Sequence, residues 1–311
     1  MEYKIYKLHF KTGVHFGKNS LESAGFTIGA DTFFSAMCHE FLKQGTDRLE
    51  WFLEQTFNEK FVISDALPFI GDTYYLPKPM LKIEGNGERG NSTLKKAYKK
   101  LSYIPADLLD VYLKGNSDVK AESEKLRKEL GSNTIRVNAD IRGEEETKPY
   151  RVGTYYFKEQ SGLYIVVGYE NEEMLYEIED CLSAMELSGI GGKRSAGLGR
   201  FELQPGTLSN EFHKRLVSES GKTYMSLSGC LPKEDELGSA LENASYLLIK
   251  RSGFVNSEHY AKEHSRKKDL YILQSGSCFT NRFGGYIYDV SDGGNHKVYR
   301  YAKPLFMEVI S

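Results

Sequence analysis

Between Leu187 and Phe201 the chain reads LSGIGGKRSAGLGRF, with five glycines, three cations and no acid. Glycine lets a backbone turn with positive φ and come close to a neighbour or ligand. Successive peptide N–H groups in such turns form concave anion sites. Lys193, Arg194 and Arg200 add charge-assisted bonds to phosphate oxygens, which Arg makes two at a time. Gly191, Gly192, Ser195, Gly197 and Gly199 are the small residues that allow the approach. Two familiar phosphate motifs do not fit. A dinucleotide fingerprint follows a strand and opens a helix, whereas this segment follows a helical pattern and opens a strand; GxxxxGK[ST] is absent.

Other residues carry chemistry more diffusely. His15 precedes Phe16, Gly17 and Lys18. A metal-independent RNA-cleaving site needs such a His beside a second acid–base group and a cation, while a loop His also serves simply as a hydrogen-bonding group. Asp31 precedes a helical run and reads as its N-cap. In the second half, Arg251-Ser252-Gly253-Phe254 and Arg266-Lys267-Lys268 combine cations with small residues, and Phe279 is a nearby ring for stacking. Tyr155-Tyr156 suits either base stacking or core packing. Near the end, Tyr299 and Tyr301 fall on one strand face with Arg300 on the other, close to His296.

The elements that must position these groups follow from periodicity. Tyr3–Phe10 reads as a strand, Thr12–Lys18 as a loop, and Thr32–Lys43 as a helix with Phe33, Phe34, Met37, Phe41 and Leu42 on one face and Gly45 as its stop. Phe61–Leu81 reads as strand, turn, strand. The stretch 82–133 is polar and reads as an insertion, with Lys95, Lys96, Lys99 and Lys100 on a solvated helix face. Thr134–Asp140 and Tyr150–Phe157 alternate around the acidic Gly143–Glu146 turn, which predicts a long β-hairpin carrying Arg136 and Asn138. Leu163–Tyr169 is a buried strand and Glu172–Leu187 a helix buried through Leu175, Ile178, Leu182 and Met185. The order fits a β-α-β-β-α-β unit. After Pro205-Gly206 the pattern restarts, with strands at Tyr224–Leu231, Ser245–Lys250, Leu270–Gln274 and Lys297–Ile310 and a helix at Lys233–Leu241. We therefore expect an α+β protein of two domains, 1–205 and 206–311.

Composition limits the alternatives. The 311 residues hold 41 Lys plus Arg and 43 Asp plus Glu, a formal charge of −2, which excludes a uniformly basic nucleic-acid binder. Any anion site is local. Cys38, Cys181, Cys230 and Cys278 are scattered, with no CxxC, so neither a zinc site nor a disulfide framework is expected, and no cofactor. The start has no apolar run of signal-peptide type and no stretch suits a membrane span, which points to the cytoplasm.

The segment GIGGKRSAGLGRF after a helix resembles the glycine-rich loop of the repeat-associated RNA-binding (RAMP) superfamily of CRISPR systems. YKLHFKTGVHFG (Tyr6–Gly17), GADTFFSAMCHEF (Gly29–Phe41) and GGNHKVYRYAKPLF (Gly293–Phe306) resemble the fourth-subunit family of the type III-A effector, the Csm complex. The resemblance implies two ferredoxin-like (RRM-type) domains and no catalysis. It implies a partner CRISPR RNA, held by its repeat-derived 5′ tag, and protein partners in the large polymerase-like subunit and the first backbone RAMP subunit. It also implies a β-hairpin thumb, for which 134–157 is the candidate. The RNA-binding set is then the glycine loop with His15, Lys18, Arg136, Asn138, Arg251, Lys267 and Lys268. A metal-independent CRISPR RNA-processing endoribonuclease is the alternative, and a nucleotide-binding enzyme using the same loop is a third class.

Overall fold

The computed structural model describes residues 1–18, 20–83, 96, 98–140, 148–257, 259–261 and 265–310. Lys95 and the Gly143–Glu146 turn lie outside the described residues. The chain begins with β1 (Glu2–Phe10), β2 (Phe16–Lys18) and β3 (Ser20–Gly25), then α1 (Ala30–Gln44) and α2 (Thr46–Phe57). Next come β4 (Phe61–Ile63), β5 (Leu67–Ile70), β6 (Thr73–Pro77), β7 (Tyr103–Pro105), α3 (Leu109–Leu113) and α4 (Val119–Glu129). A long hairpin follows, β8 (Gly131–Asp140) and β9 (Lys148–Phe157), then β10 (Ser161–Tyr169), α5 (Glu172–Ser188) and β11 (Phe201–Gly206).

Seven of these strands form one sheet in the order β11-β1-β10-β5-β6-β7, with β4 also on β10, while β2–β3 and β8–β9 are separate antiparallel pairs. β1 runs antiparallel to β10, from Glu2 opposite Tyr169 to Leu8 opposite Leu163, and antiparallel to β11, with Phe10 opposite Phe201. Helices connect β1 to β4 and β10 to β11. α1, α2 and α5 cover one face, burying Phe33, Phe34, Phe52, Ile178 and Leu182 on Tyr6, Leu8, Ile165 and Val167. The other face, through Ile5, Tyr164 and Val166, packs on the C-terminal half. That double cover explains why every residue of β10 is buried and why β1 alternates imperfectly.

The C-terminal half contains α6 (Asn210–Val217), β12 (Thr223–Ser226), α7 (Leu237–Ala240), β13 (Leu248–Arg251), β14 (Leu270–Leu273), β15 (Cys278–Phe279), β16 (Tyr286–Asp289), β17 (Tyr299–Ala302) and β18 (Phe306–Ile310). A three-stranded sheet runs β15-β12-β18, and β13–β14 and β16–β17 are antiparallel pairs. Phe212 and Leu216 of α6, Met225 of β12 and Met307 of β18 press on the N-terminal sheet. Tyr301 of β17 crosses to the helical face, where its ring lies 5.1 Å from that of Phe34 and its hydroxyl accepts from the Ile63 N–H at 3.0 Å. The halves thus share their core.

Several expectations change. Thr12–Lys18 is not all loop, since Phe16–Lys18 pairs with β3. The stretch 82–133 contributes core residues: Leu101, Ile104, Tyr112, Val119 and Leu126 are buried and β7 extends the sheet. Its charged sequence hides short apolar contacts. Lys96, Lys99 and Lys100 are exposed, as expected of a solvated face. The long C-terminal strand is two strands, β17 and β18, with Pro304 between them. Leu42 is 47% exposed, off the apolar face of α1. Phe279 is fully buried against Phe283 and Phe306, so it is a core ring rather than a stacking platform. Asp31 is not an N-cap. It is the second residue of α1, whose cap position is Gly29 with no side-chain cap. The Asp65 carboxylate, reaching from between β4 and β5, accepts from the Ala30 N–H at 2.8 Å instead.

Candidate nucleic-acid interface

The glycine loop is a wound connector. α5 ends at Gly189, whose φ of +68° a β-carbon disfavours and whose N–H bonds Met185 at 2.8 Å. Ile190 N–H donates to the Gly199 carbonyl at 3.0 Å, closing the loop at its neck. Arg194–Ala196 form a single 3-10 turn flanked by left-handed Lys193 (φ +60°) and Gly197 (φ +81°). Lys193 adopts this conformation without being glycine, a cost that folded proteins concentrate at functional sites.

His15 ties this loop to the hairpin. Its carbonyl accepts from the Gly192 N–H at 2.9 Å. Its Nδ1 lies 2.7 Å from the Gly153 carbonyl, and a carbonyl only accepts, so Nδ1 carries the proton. A side chain at Gly192 would meet the His15 ring at 2.8 Å, and one at Gly191 the Phe16 ring at 2.9 Å. These two glycines therefore permit close packing within the protein. Gly153 likewise allows the backbone of β3, at Glu22 and Ala24, to lie across β9. Farther out, Lys193 Nζ sits 5.1 Å over the Tyr150 ring, and Tyr150 pairs with Asn138 on β8.

A cleft of about 330 Å³ opens beside this junction. One wall is the loop, with Gly191, Gly192 and Arg194. The second is α1, where Thr32, Ser35, Ala36 and His39 fall at helical spacing on one face. The third comes from the C-terminal half, with Arg251, Phe254, Lys267 and Arg300. Its lining holds four Arg and Lys side chains, two His and a single acid, Asp31. Asp31 is buried and accepts from Arg251 Nε at 2.9 Å and Arg300 Nη1 at 2.6 Å. Burial alone would raise its pKa, but the two guanidiniums hold it below the usual carboxylate value. Burial lowers the pKa of Lys267, and Arg300 adds to it. Burial, with Arg194 and Lys267 behind it, lowers His39.

The structure thus brings His15, Gly191, Gly192, Arg194, Arg251 and Lys267 to one cleft. Lys193, Ser195, Gly197, Gly199 and Arg200 belong to the same loop but do not line it. Ser195, Gly197 and Arg200 are exposed, while Gly199 is packed against Ile190 and Gly13. Lys18 is exposed on β2, Arg136 is exposed and Asn138 half-buried on β8, and Lys268 is exposed one residue from the cleft. Of the aromatic pair, Tyr155 is buried on Phe26 and Phe157, and Tyr156 is 39% exposed. His39 and the polar face of α1 were missed as site residues. Their 32/35/36/39 spacing is legible in the sequence, but the apolar face of the same helix gives the stronger periodic signal. Arg300 lines the cleft from β17 beside Tyr299, and its partner Asp31 lies too far away in sequence to be inferred from a local pattern.

Residues 219–309 match the family model of the CRISPR Csm4 C-terminal domain. The CRISPR system Cms protein Csm4 of Mycobacterium tuberculosis (strain CDC 1551 / Oshkosh) is 37% identical over 309 residues, covering 99% of this chain and 98% of that protein. The protein of the same name from Streptococcus thermophilus is 35% identical over 316 residues, covering 99% of both. Among solved structures, a chain of a Csm3-Csm4 subcomplex of the type III-A CRISPR-Cas interference complex aligns with a TM-score of 0.66 at 18% identity, over 98% of each chain. A chain of a Csm1-Csm4 cassette in complex with AMPPNP aligns at 0.62 and 18% identity, over 100% of this chain and 98% of that one. The structural likeness carries the fold, the sequence identity extends along nearly the whole length of both relatives, and the chain belongs to the Csm4 family of CRISPR systems.

Proposed function

We propose that this chain is a non-catalytic RNA-binding subunit of a type III-A CRISPR interference complex in antiviral defence. Its cleft and glycine loop hold the repeat-derived 5′ tag of the CRISPR RNA. The observation that carries this reading is the cleft itself: four cations and one acid, walled by the glycine loop and both halves of a net-negative chain. Contacts to the RNA backbone position the strand, and a few splayed bases carry its sequence. Lys18, Arg136, Asn138 and Lys268 extend the surface on either side, with the β8–β9 hairpin as the thumb pressing on the guide. The order β11-β1-β10-β4, with helices on one face, supports a ferredoxin-like first domain up to about residue 205. The second domain then follows β11, with 82–133 inserted in the first. Relatives solved with Csm3 and with Csm1 support docking to a backbone RAMP subunit and a large polymerase-like subunit. No described helix is long and apolar enough to cross a membrane, and we place the protein's work in the cytoplasm.

The deciding experiment is the double variant Lys193→Ala/Arg194→Ala. Tag-RNA binding weakens and its salt dependence becomes shallower, by about 0.7 in slope per lost phosphate contact. Unchanged binding and unchanged assembly with RNA and partners overturn the reading. One observation favours a second reading: His39 joins His15 on the same cleft. Incubation with repeat RNA in the absence of metal separates the two. Cleavage abolished by His15→Ala supports the endoribonuclease, and intact RNA supports the binding subunit.

A further inference from the structure

Arg300 lies deep in the chain's C-terminal half, yet it lines the cleft. Its side chain is only 6% exposed. Nη1 donates to Asp31 at 2.6 Å and Nη2 to the Ser252 carbonyl at 3.5 Å. Its buried Nε has no hydrogen-bond partner among the described residues. A buried donor left unmade is costly and calls for a partner, which a ligand phosphate entering the cleft would supply. The same carboxylate also takes the two-pronged bond of Arg251, which Thr32 supports with its hydroxyl at 3.1 Å. One negative charge thus offsets two guanidiniums and leaves the floor of the cleft net positive.

Resting on the RNA-binding reading above, we infer that Arg300 is a phosphate-binding residue at the floor of the cleft, and that Asp31 is its positioning residue. Guanidinium matches phosphate geometry better than ammonium does. Asp31 belongs to α1, whereas Arg251 and Arg300 belong to β13 and β17, so the carboxylate also sets the spacing of the two walls. Without it the two guanidiniums repel one another and separate.

The test measures binding of a single-stranded tag RNA by the full chain across a salt series, on variants that keep the wild-type far-UV circular dichroism. Arg300→Gln weakens binding about tenfold, the scale of one charge-assisted hydrogen bond, and reduces the salt slope by about 0.7. A purely structural Arg300 shifts the unfolding midpoint and leaves the slope unchanged, which overturns the inference. Asp31→Asn gives a test by sign. Charge counting alone predicts tighter binding, because an acid is lost. Positioning predicts weaker binding, with partial recovery in Asp31→Glu; tighter or equal binding by Asp31→Asn overturns the positioning role. Should one variant not fold, Arg251→Lys, which keeps the charge but loses the two-pronged bond to Asp31, follows the Asp31→Asn expectation. Loss of binding in Lys193→Ala/Arg194→Ala with no change at Arg300 or Asp31 leaves the RNA reading standing and removes this one. A wild-type chain that binds no RNA removes both.

Discussion

The carbonyl of His15 accepts the N–H of Gly192 at 2.9 Å, so the loop after the first strand and the glycine loop are joined as a short antiparallel bridge. Because His15 Nδ1 also donates to Gly153, this one residue couples three segments that are remote in sequence. The bridge leaves little room. A methyl group at Gly192 meets His15 Cδ2 at 2.8 Å. Gly192→Ala is expected to destabilise the chain by about 1–3 kcal/mol, as overpacking does, and to lower the thermal unfolding midpoint. An unchanged midpoint contradicts the close packing described.

Lys193 is held at φ +60°. Comparing Lys193→Gly with Lys193→Ala isolates the backbone from the charge. Both variants lose the ammonium and its contact with Tyr150, and both bind tag RNA more weakly. The glycine variant is more stable by about 1 kcal/mol, the cost of a β-carbon in left-handed backbone. Chemical denaturation measures the difference, and equal stabilities refute the strain.

Proton linkage follows from His39. Burial, Arg194, Lys267 and Lys43 lower its pKa, with Glu40 opposing, so it is neutral at pH 7 in the free protein. An RNA phosphate in the cleft favours the protonated ring. The bound pKa is therefore the higher of the two, binding takes up a proton, and affinity rises as pH falls through the bound value and levels off below the lower free one. Titration calorimetry in buffers of different ionisation heat measures the uptake. His39→Gln removes it, and an uptake that persists in this variant assigns the proton elsewhere.

The Asp31 carboxylate gives the acid limb of stability. Its folded pKa lies below the unfolded value of about 3.9 for Asp. The stabilisation is therefore complete above that value and is lost as pH falls through the lower folded pKa. Unfolding midpoints measured between about pH 5 and 2 fall less steeply in Asp31→Asn than in the wild-type chain. Parallel curves place the acid sensitivity on other carboxylates.

Local patterns were legible wherever one physical term dominated. The acid-free glycine loop, the apolar faces of α1 and α5, the buried β10 and the alternating hairpin each follow from propensity, charge or periodicity within a short window. So did the glycine at the end of α1, where Gly45 takes φ +142°. Family membership followed from motifs spread along the chain. Tertiary structure decided what those windows cannot contain. Asp31 pairs with residues 220 and 269 positions away, which turns an apparent cap into a buried counter-ion. Gly191 and Gly192 serve His15 and Phe16 inside the protein, because the residues crowding them come from another strand. The cleft exists only where α1, the glycine loop and the C-terminal half converge. Its electrostatics follow from the distances in space between charged groups, which bear no relation to their positions along the chain.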